Sequence, residues 1–149
     1  MSFFLMVGDG PQKAELENKT KTLSNLKDKV IFVGRQDNVL PYIYVSDIAI
    51  LPSKRESFGL ALLEPMACGL PVLGSNVGGI PEVISDKKTG YLFENKNVNQ
   101  IALCIEKLAN NKELRMLIGN AARERAISVF SRKEIVDSYE ELYLGLMRQ

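Results

Sequence analysis

Short apolar runs recur along the chain, each bounded by turn-forming residues: Phe3-Phe4-Leu5-Met6-Val7, Val30-Ile31-Phe32-Val33, Ile48-Ala49-Ile50-Leu51-Pro52, Pro71-Val72-Leu73-Gly74 and Thr89-Gly90-Tyr91-Leu92-Phe93. They are apolar almost throughout rather than alternating, which predicts parallel strands buried on both faces. Helical patterns lie between them. Pro11 can open a helix running to about Leu26, and Asp37 or Asn38 can cap a short one through about Val45. A third runs from about Leu60 to Cys68, stopped by Gly69 and Pro71. Gly78-Gly79-Ile80-Pro81 reads as a turn into Glu82. Past the last strand, Asn97 with Gln100 forms a capping box for a helix to about Ala109. A further pattern over about 111–129 places Leu114, Leu117, Ile118 and Ala121 on one face. Ser131 with Glu134 opens a terminal helix carrying Ile135, Tyr139, Leu142 and Leu146. Alternating strands and helices predict an α/β fold with a parallel sheet, with 1–149 as one domain.

Composition narrows the function classes. Nineteen basic residues against 18 acidic ones give no reason to expect nucleic acid or an anionic membrane as partner. No apolar run approaches the ~20 residues of a spanning helix. The opening MSFFLMVG lacks the basic start and the length of a signal peptide, and reads as a strand. Cys68 and Cys104 sit in apolar helical contexts and fit core packing in a reduced, cytoplasmic protein. With no histidine and two isolated cysteines, the chain carries no zinc-ligand pattern and no Ser-His-Asp triad.

The chemistry concentrates in residues 54–82, KRESFGLALLEPMACGLPVLGSNVGGIPE. Glu56 and Glu64 flank the start of a helix at the carboxyl end of a predicted strand, the edge at which open α/β sheets bind ligands. Free N–H groups at a helix start attract phosphate, and Gly59 permits close backbone approach. Carboxylates repel phosphate, so their natural partners are hydroxyls. A ligand with an anionic middle and hydroxyl-rich ends meets both demands; a solvated face on which the glutamates complement the helix dipole is the plainer alternative. Lys54 and Arg55 fit a phosphate site and a solvated turn equally well. Gly8-Asp9-Gly10-Pro11 by itself is as consistent with a bare turn as with a ligand loop. Pro65 removes one backbone bond if the helix begins near Gly59, predicting a kink or a later start.

Taken together, ESFGLALLE with seven residues between its two glutamates, MACGLPVLGSNVGGIPEVI, TGYLF, the opening VGDGP and FVG at 32–34 resemble the GT-B, family 4 retaining glycosyltransferases over nearly the whole chain. The resemblance implies the donor-binding, C-terminal domain of such an enzyme, an α/β, Rossmann-like doubly wound parallel sheet. In that family, Glu56 takes hydroxyls of the transferred sugar and is the residue carried over as catalytic. Backbone groups around Ser57, Phe58, Gly59 and Leu60 hold donor phosphate and sugar, Glu64 takes the ribose hydroxyls, and Gly8 and Arg35 lie near the nucleotide. No cofactor and no metal are implied; the nucleotide-sugar donor is the substrate. The resemblance further implies that a first βα unit with diphosphate-gripping Arg and Lys, and an N-terminal domain holding a small-molecule acceptor, are missing from this chain. The helix over 131–149 would pack on that domain, and the chain alone would be inactive. RQDNV, SKRESFGLALLE, MACGLP, GGIPEVI and IVDSYEELY are similar to the subgroup that moves N-acetylglucosamine from UDP to the hydroxyl of L-malate in bacillithiol synthesis. Another family 4 transferase using a UDP- or GDP-sugar with a lipid or polysaccharide acceptor, a non-catalytic sugar-nucleotide-binding module, and a homo-oligomeric state stay open.

Overall fold

A computed structural model describes residues 2–147; residues 1, 148 and 149, which belong to the expected domain and to its terminal helix, lie outside the described residues. The chain divides into two compact units, the first ending at Val45 and the second starting at Ser46.

The first unit pairs β1 (Phe4–Val7) with β2 (Val30–Gly34) in parallel, and adds α1 (Lys13–Thr22) and the one-turn α2 (Leu40–Tyr44). Its strands are not the fully buried elements the apolar runs predict: Phe4, Met6 and Val7 are each about 40% exposed. Two strands and one ten-residue helix are too little material to cover both faces of a sheet. The helix after the first glycine-rich turn starts at Lys13 rather than Pro11 and ends at Thr22 rather than Leu26, because Leu23–Lys29 close in turns of their own. Neither expected cap occupies the N-cap of α2, which is Val39; Asn38, one residue earlier, accepts from the Leu40 N–H through Oδ1 at 3.1 Å.

The second unit is a parallel ladder in the order β3 (Ala49–Leu51), β4 (Val72–Ser75), β5 (Gly90–Phe93), joined and covered by α3 (Leu60–Ala67), α4 (Ile80–Val83), α5 (Val98–Ala109), α6 (Lys112–Phe130) and α7 (Arg132–Met147). β4 is buried at every position. Its neighbours Val72 and Leu73 serve opposite faces, as the two-residue period requires. Val72 joins Leu62, Met66, Ile80, Val83, Ile84, Ala122 and Ala126, whereas Leu73 joins Tyr91, Phe93, Leu108 and Ile118. Helices therefore cover both faces of this ladder. β3 is shorter than the apolar run and only half-buried, because β4 pairs with it on one side only among the described residues.

Helix ends follow the sequence closely. Asn97 Oδ1 accepts from the Gln100 N–H at 3.1 Å, and Ser131 Oγ from the Glu134 N–H at 3.3 Å. The Gln100 side chain does not complete its box on Asn97; its Oε1 accepts from the Glu94 N–H at 2.8 Å and so fastens the exit of β5. Asn111 caps α6 by accepting from the Leu114 N–H at 2.8 Å. Asn111→Ala is expected to cost about 1 kcal/mol and roughly 2–4 °C in Tm, while Asn110→Ala leaves thermal melts unchanged.

Of the face predicted for α6, Ile118 is buried and Leu114 and Ala121 are half-buried, but Leu117 points away from the core. Ile118, Gly119, Ala122 and Ala126 are buried, whereas Leu117 is 68% exposed. Small residues at 119, 122 and 126 let α3 approach closely, and that approach rather than side-chain size selects the face. A Cβ on Gly119 would strike the carbonyl oxygen of Gly69. Pro65 lies inside α3, which nevertheless begins at Leu60. The missing N–H deprives the Ala61 carbonyl of its usual donor, at a residue that is exposed rather than buried. The helix ends in a Schellman arrangement: Leu70 N–H donates to Pro65 O at 3.0 Å, Gly69 N–H to Met66 O at 2.9 Å, and Gly69 has φ +83°. Among the described residues α7 contributes nothing to the buried core; Ile135, Tyr139, Leu142 and Leu146 are all exposed.

Candidate functional site

β3 delivers the chain to Ser53, where the strand exit is secured by a residue from the neighbouring strand. The buried Ser75 hydroxyl donates to Ser53 O at 2.6 Å. Lys54 and Arg55 follow and are exposed. Glu56 comes next, half-buried, with Oε1 accepting from the Ser57 N–H at 3.1 Å.

Gly59 is the N-cap of α3. It is buried, has φ +104°, and offers no side chain to the helix start. The N–H groups of Leu60 and Ala61, the first two of α3, thus have no side-chain cap, whereas that of Leu62 donates to Gly59 O at 2.9 Å; the free pair forms a small field of oriented donors after β3. Ser57 and Leu60 beside it are exposed, and the Phe58 ring packs against the first core cluster. Glu64 lies on the second turn of α3, exposed. The second unit therefore brings Glu56, Ser57, Phe58, Gly59, Leu60 and Glu64 together on one loop and helix start, at the predicted strand edge.

This loop does not hold itself. Gly78, with φ +52°, and Gly79 run directly against it: a Cβ on Gly78 would land on the Glu56 carbonyl oxygen, and one on Gly79 on the Ser57 carbonyl oxygen. Gly79 N–H donates to Glu56 O at 3.3 Å. Sequence reasoning saw in Gly78-Gly79 only a turn, and it missed Ser75 altogether. Two adjacent glycines shortly after a buried strand were the available signal; a serine ending a strand carries none.

Gly8 and Arg35, the other residues expected near a nucleotide, belong to the first unit. Gly8 and Arg35 follow the carboxyl ends of β1 and β2, and Gly8 N–H donates to Gly34 O at 2.8 Å, so the two loops are adjacent. A cavity of about 290 Å³ opens there, lined by Gly8, Asp9, Gly10, Lys13, Leu16 and Phe32 among others. Arg35 is exposed. Among the described residues no group of three or more His, Cys, Asp or Glu could hold a metal ion, and no helix is long and apolar enough to cross a membrane. Cys68 and Cys104 are free and half-buried; burial, then the charge of Asp86, pushes the Cys104 thiol up.

The chain is 43% identical over 144 residues to N-acetyl-alpha-D-glucosaminyl L-malate synthase of Bacillus anthracis, an alignment covering 97% of this chain and 38% of that protein. Sucrose-phosphate synthase from Thermosynechococcus elongatus superposes with a TM-score of 0.83 at 32% identity, over 97% of this chain and 38% of that one. A mutant of S. aureus TarM, solved with fondaparinux, alpha-GlcNAc-glycerol and UDP, does so with a TM-score of 0.85 at 29% identity, over 95% and 29%. The chain thus spans about two fifths of the length of the malate synthase. All its strand pairs are parallel, helices cover both faces of its larger ladder, and the model of the glycosyl transferases group 1 matches residues 2–125; the chain belongs to that family, with an α/β fold of the GT-B type.

Proposed function

We propose that this chain is the donor-binding part of a retaining glycosyltransferase that transfers N-acetylglucosamine from UDP-N-acetylglucosamine to L-malate in the cytoplasm. The observation that carries the reading is the Glu56–Glu64 segment: uncapped N–H groups and two glutamates share one helix start, and its sequence lies within the 43% identity to the malate synthase. The solved relative that contains UDP supports a uridine nucleotide.

In this reading the N–H groups of Phe58, Gly59 and Leu60 bind donor oxygens and stabilise the diphosphate as it departs, a preorganised electrostatic role. Glu64 accepts from the ribose hydroxyls. Glu56 accepts from hydroxyls of the transferred sugar and needs to form no covalent bond to it. The acceptor attacks the face from which the diphosphate leaves, which retains configuration, and no metal is required. Gly8 and Arg35 serve the nucleotide. The acceptor is held by the part of the relatives' length that this chain does not span, as is the surface on which α7 packs, so the isolated chain does not turn over.

A chemical-shift titration of the 149-residue chain with UDP, GDP, ADP and UDP-N-acetylglucosamine tests the proposal. Uridine-selective shifts at Gly8, Arg35 and Phe58–Glu64 are expected, with affinity in the millimolar range. Preference for GDP or ADP would reject the malate-synthase assignment and keep a nucleotide-sugar donor. A well-dispersed spectrum that no nucleotide perturbs would reject the donor site itself.

A further inference from the structure

Phe58 stands in the middle of the proposed donor loop, yet its ring is turned into the protein. It meets the ring of Phe130 edge-on, with centroids 5.8 Å apart and planes at 76°, the arrangement that the opposite charges of ring edge and ring face favour. Phe130 is the last residue of α6. The guanidinium carbon of Arg125, five residues earlier on the same helix, lies 5.4 Å from the centre of that ring. Arg125 is itself fixed, because its Nε donates to Val83 O at 2.9 Å and its Nη2 to Glu82 O at 2.7 Å. A planar guanidinium with two donors engaged has little freedom left.

These contacts form a continuous line from the end of α4, through Arg125 and Phe130, to Phe58. The other end of α4 leads back to Gly78-Gly79, which bear on the backbone of Glu56 and Ser57. α6 therefore grips the loop twice: at Phe58 through a ring, and at Glu56-Ser57 through α4. Local sequence does neither job, since α3 starts at a left-handed glycine without a side-chain cap.

Resting on the donor-site reading above, we propose that Phe130 and Arg125 are positioning residues for the donor: they touch no ligand and hold the backbone of Phe58–Leu60 in the geometry that receives it. Donors held in place before the ligand arrives need no rearrangement when it binds. If Phe130 served only to fill space, a leucine would do much of its work, but leucine has neither a face for Arg125 nor an edge for Phe58.

The test compares Phe130→Leu with Phe130→Tyr in the 149-residue chain. Backbone ¹⁵N relaxation and amide exchange are the readouts, because losing a ring moves nearby chemical shifts by itself. Phe130→Leu is expected to lower the heteronuclear NOE at Phe58, Gly59 and Leu60, to speed their exchange about tenfold, and to weaken UDP binding threefold or more. Gly90–Phe93 should stay as rigid as before, and Phe130→Tyr should restore all three properties. Unchanged relaxation at 58–60, loosening spread evenly through the second unit, or a loosened loop that binds UDP as well as the wild type would each overturn the proposal. If Phe130→Leu does not fold, Arg125→Lys carries the same test, since it keeps the charge and loses the two-pronged grip. A folded wild-type chain that binds no nucleotide overturns the donor reading, and this proposal with it. Binding by the wild type with undiminished binding by the variants overturns the positioning role alone.

Discussion

Gly78→Ala is expected to destabilise the protein by about 3 kcal/mol and to displace the loop that carries Glu56. Two costs add. At φ +52° an L side chain is strained by roughly 1–2 kcal/mol. The new methyl would also land on the carbonyl oxygen of Glu56, a backbone atom that cannot swing aside as a side-chain tip can. Overpacking of this kind costs ~1–3 kcal/mol. Together they correspond to a fall in Tm of roughly 6–12 °C for a domain of this size. Gly10→Ala is the matched control: its added Cβ would meet nothing within 4 Å, and a neutral melt is expected. Thermal melts with amide shifts at Glu56 and Ser57 decide the matter. A Gly78→Ala chain as stable as wild type, with an unmoved Glu56, would mean that the two glycines do not set the loop.

The second large effect separates the two glutamates. Glu64→Ala is expected to weaken bare UDP about tenfold or more, because hydrogen bonds to a charged group contribute ~1.5–3 kcal/mol. Glu56→Ala is expected to leave UDP nearly unchanged and to remove the extra affinity, or the turnover in an enzyme of full length, that the sugar brings. The structure sharpens the contrast, since Glu64 is exposed on the second turn of α3, whereas Glu56 is half-buried and tied to the Ser57 N–H. Losing that bond could slacken the loop, so Glu56→Gln, which keeps an acceptor oxygen, is the better partner variant. Titrations with UDP and with UDP-N-acetylglucosamine give both numbers. Equal losses of bare UDP affinity in the two variants would remove the assignment of ribose to one and sugar to the other.

Much of this molecule is legible before any coordinate is known. The apolar runs locate all five described strands to within one residue at either end, and unbroken rather than alternating hydrophobicity indicates parallel pairing. Asn97 and Ser131 cap where their side chains and spacing say they should. Gly69 ends α3 because it is a glycine. The errors over burial have one origin. Burial of Phe4, Met6 and Val7, and the inward face assigned to Leu117, were inferred from residue type, but burial depends on which neighbours reach a position. Leu117 loses to Gly119 and Ala122 because α3 comes closer to the smaller residues.

The same division runs through the site. Local chemistry decides what lies within a few residues: a strand exit, two glutamates with seven residues between them, and a glycine that lets the helix start uncapped. These are properties of φ, ψ and side-chain type, and a linear sequence displays them directly. What holds that loop in place comes from far along the chain, from Ser75, from Gly78-Gly79, and from Arg125 and Phe130 on a helix about 70 residues away. No local rule marks an arginine whose fork closes on two distant carbonyls, or a glycine whose missing methyl makes room for another strand of backbone. Short-range torsional preferences determined the parts, and excluded volume between remote segments determined how rigidly the site is presented.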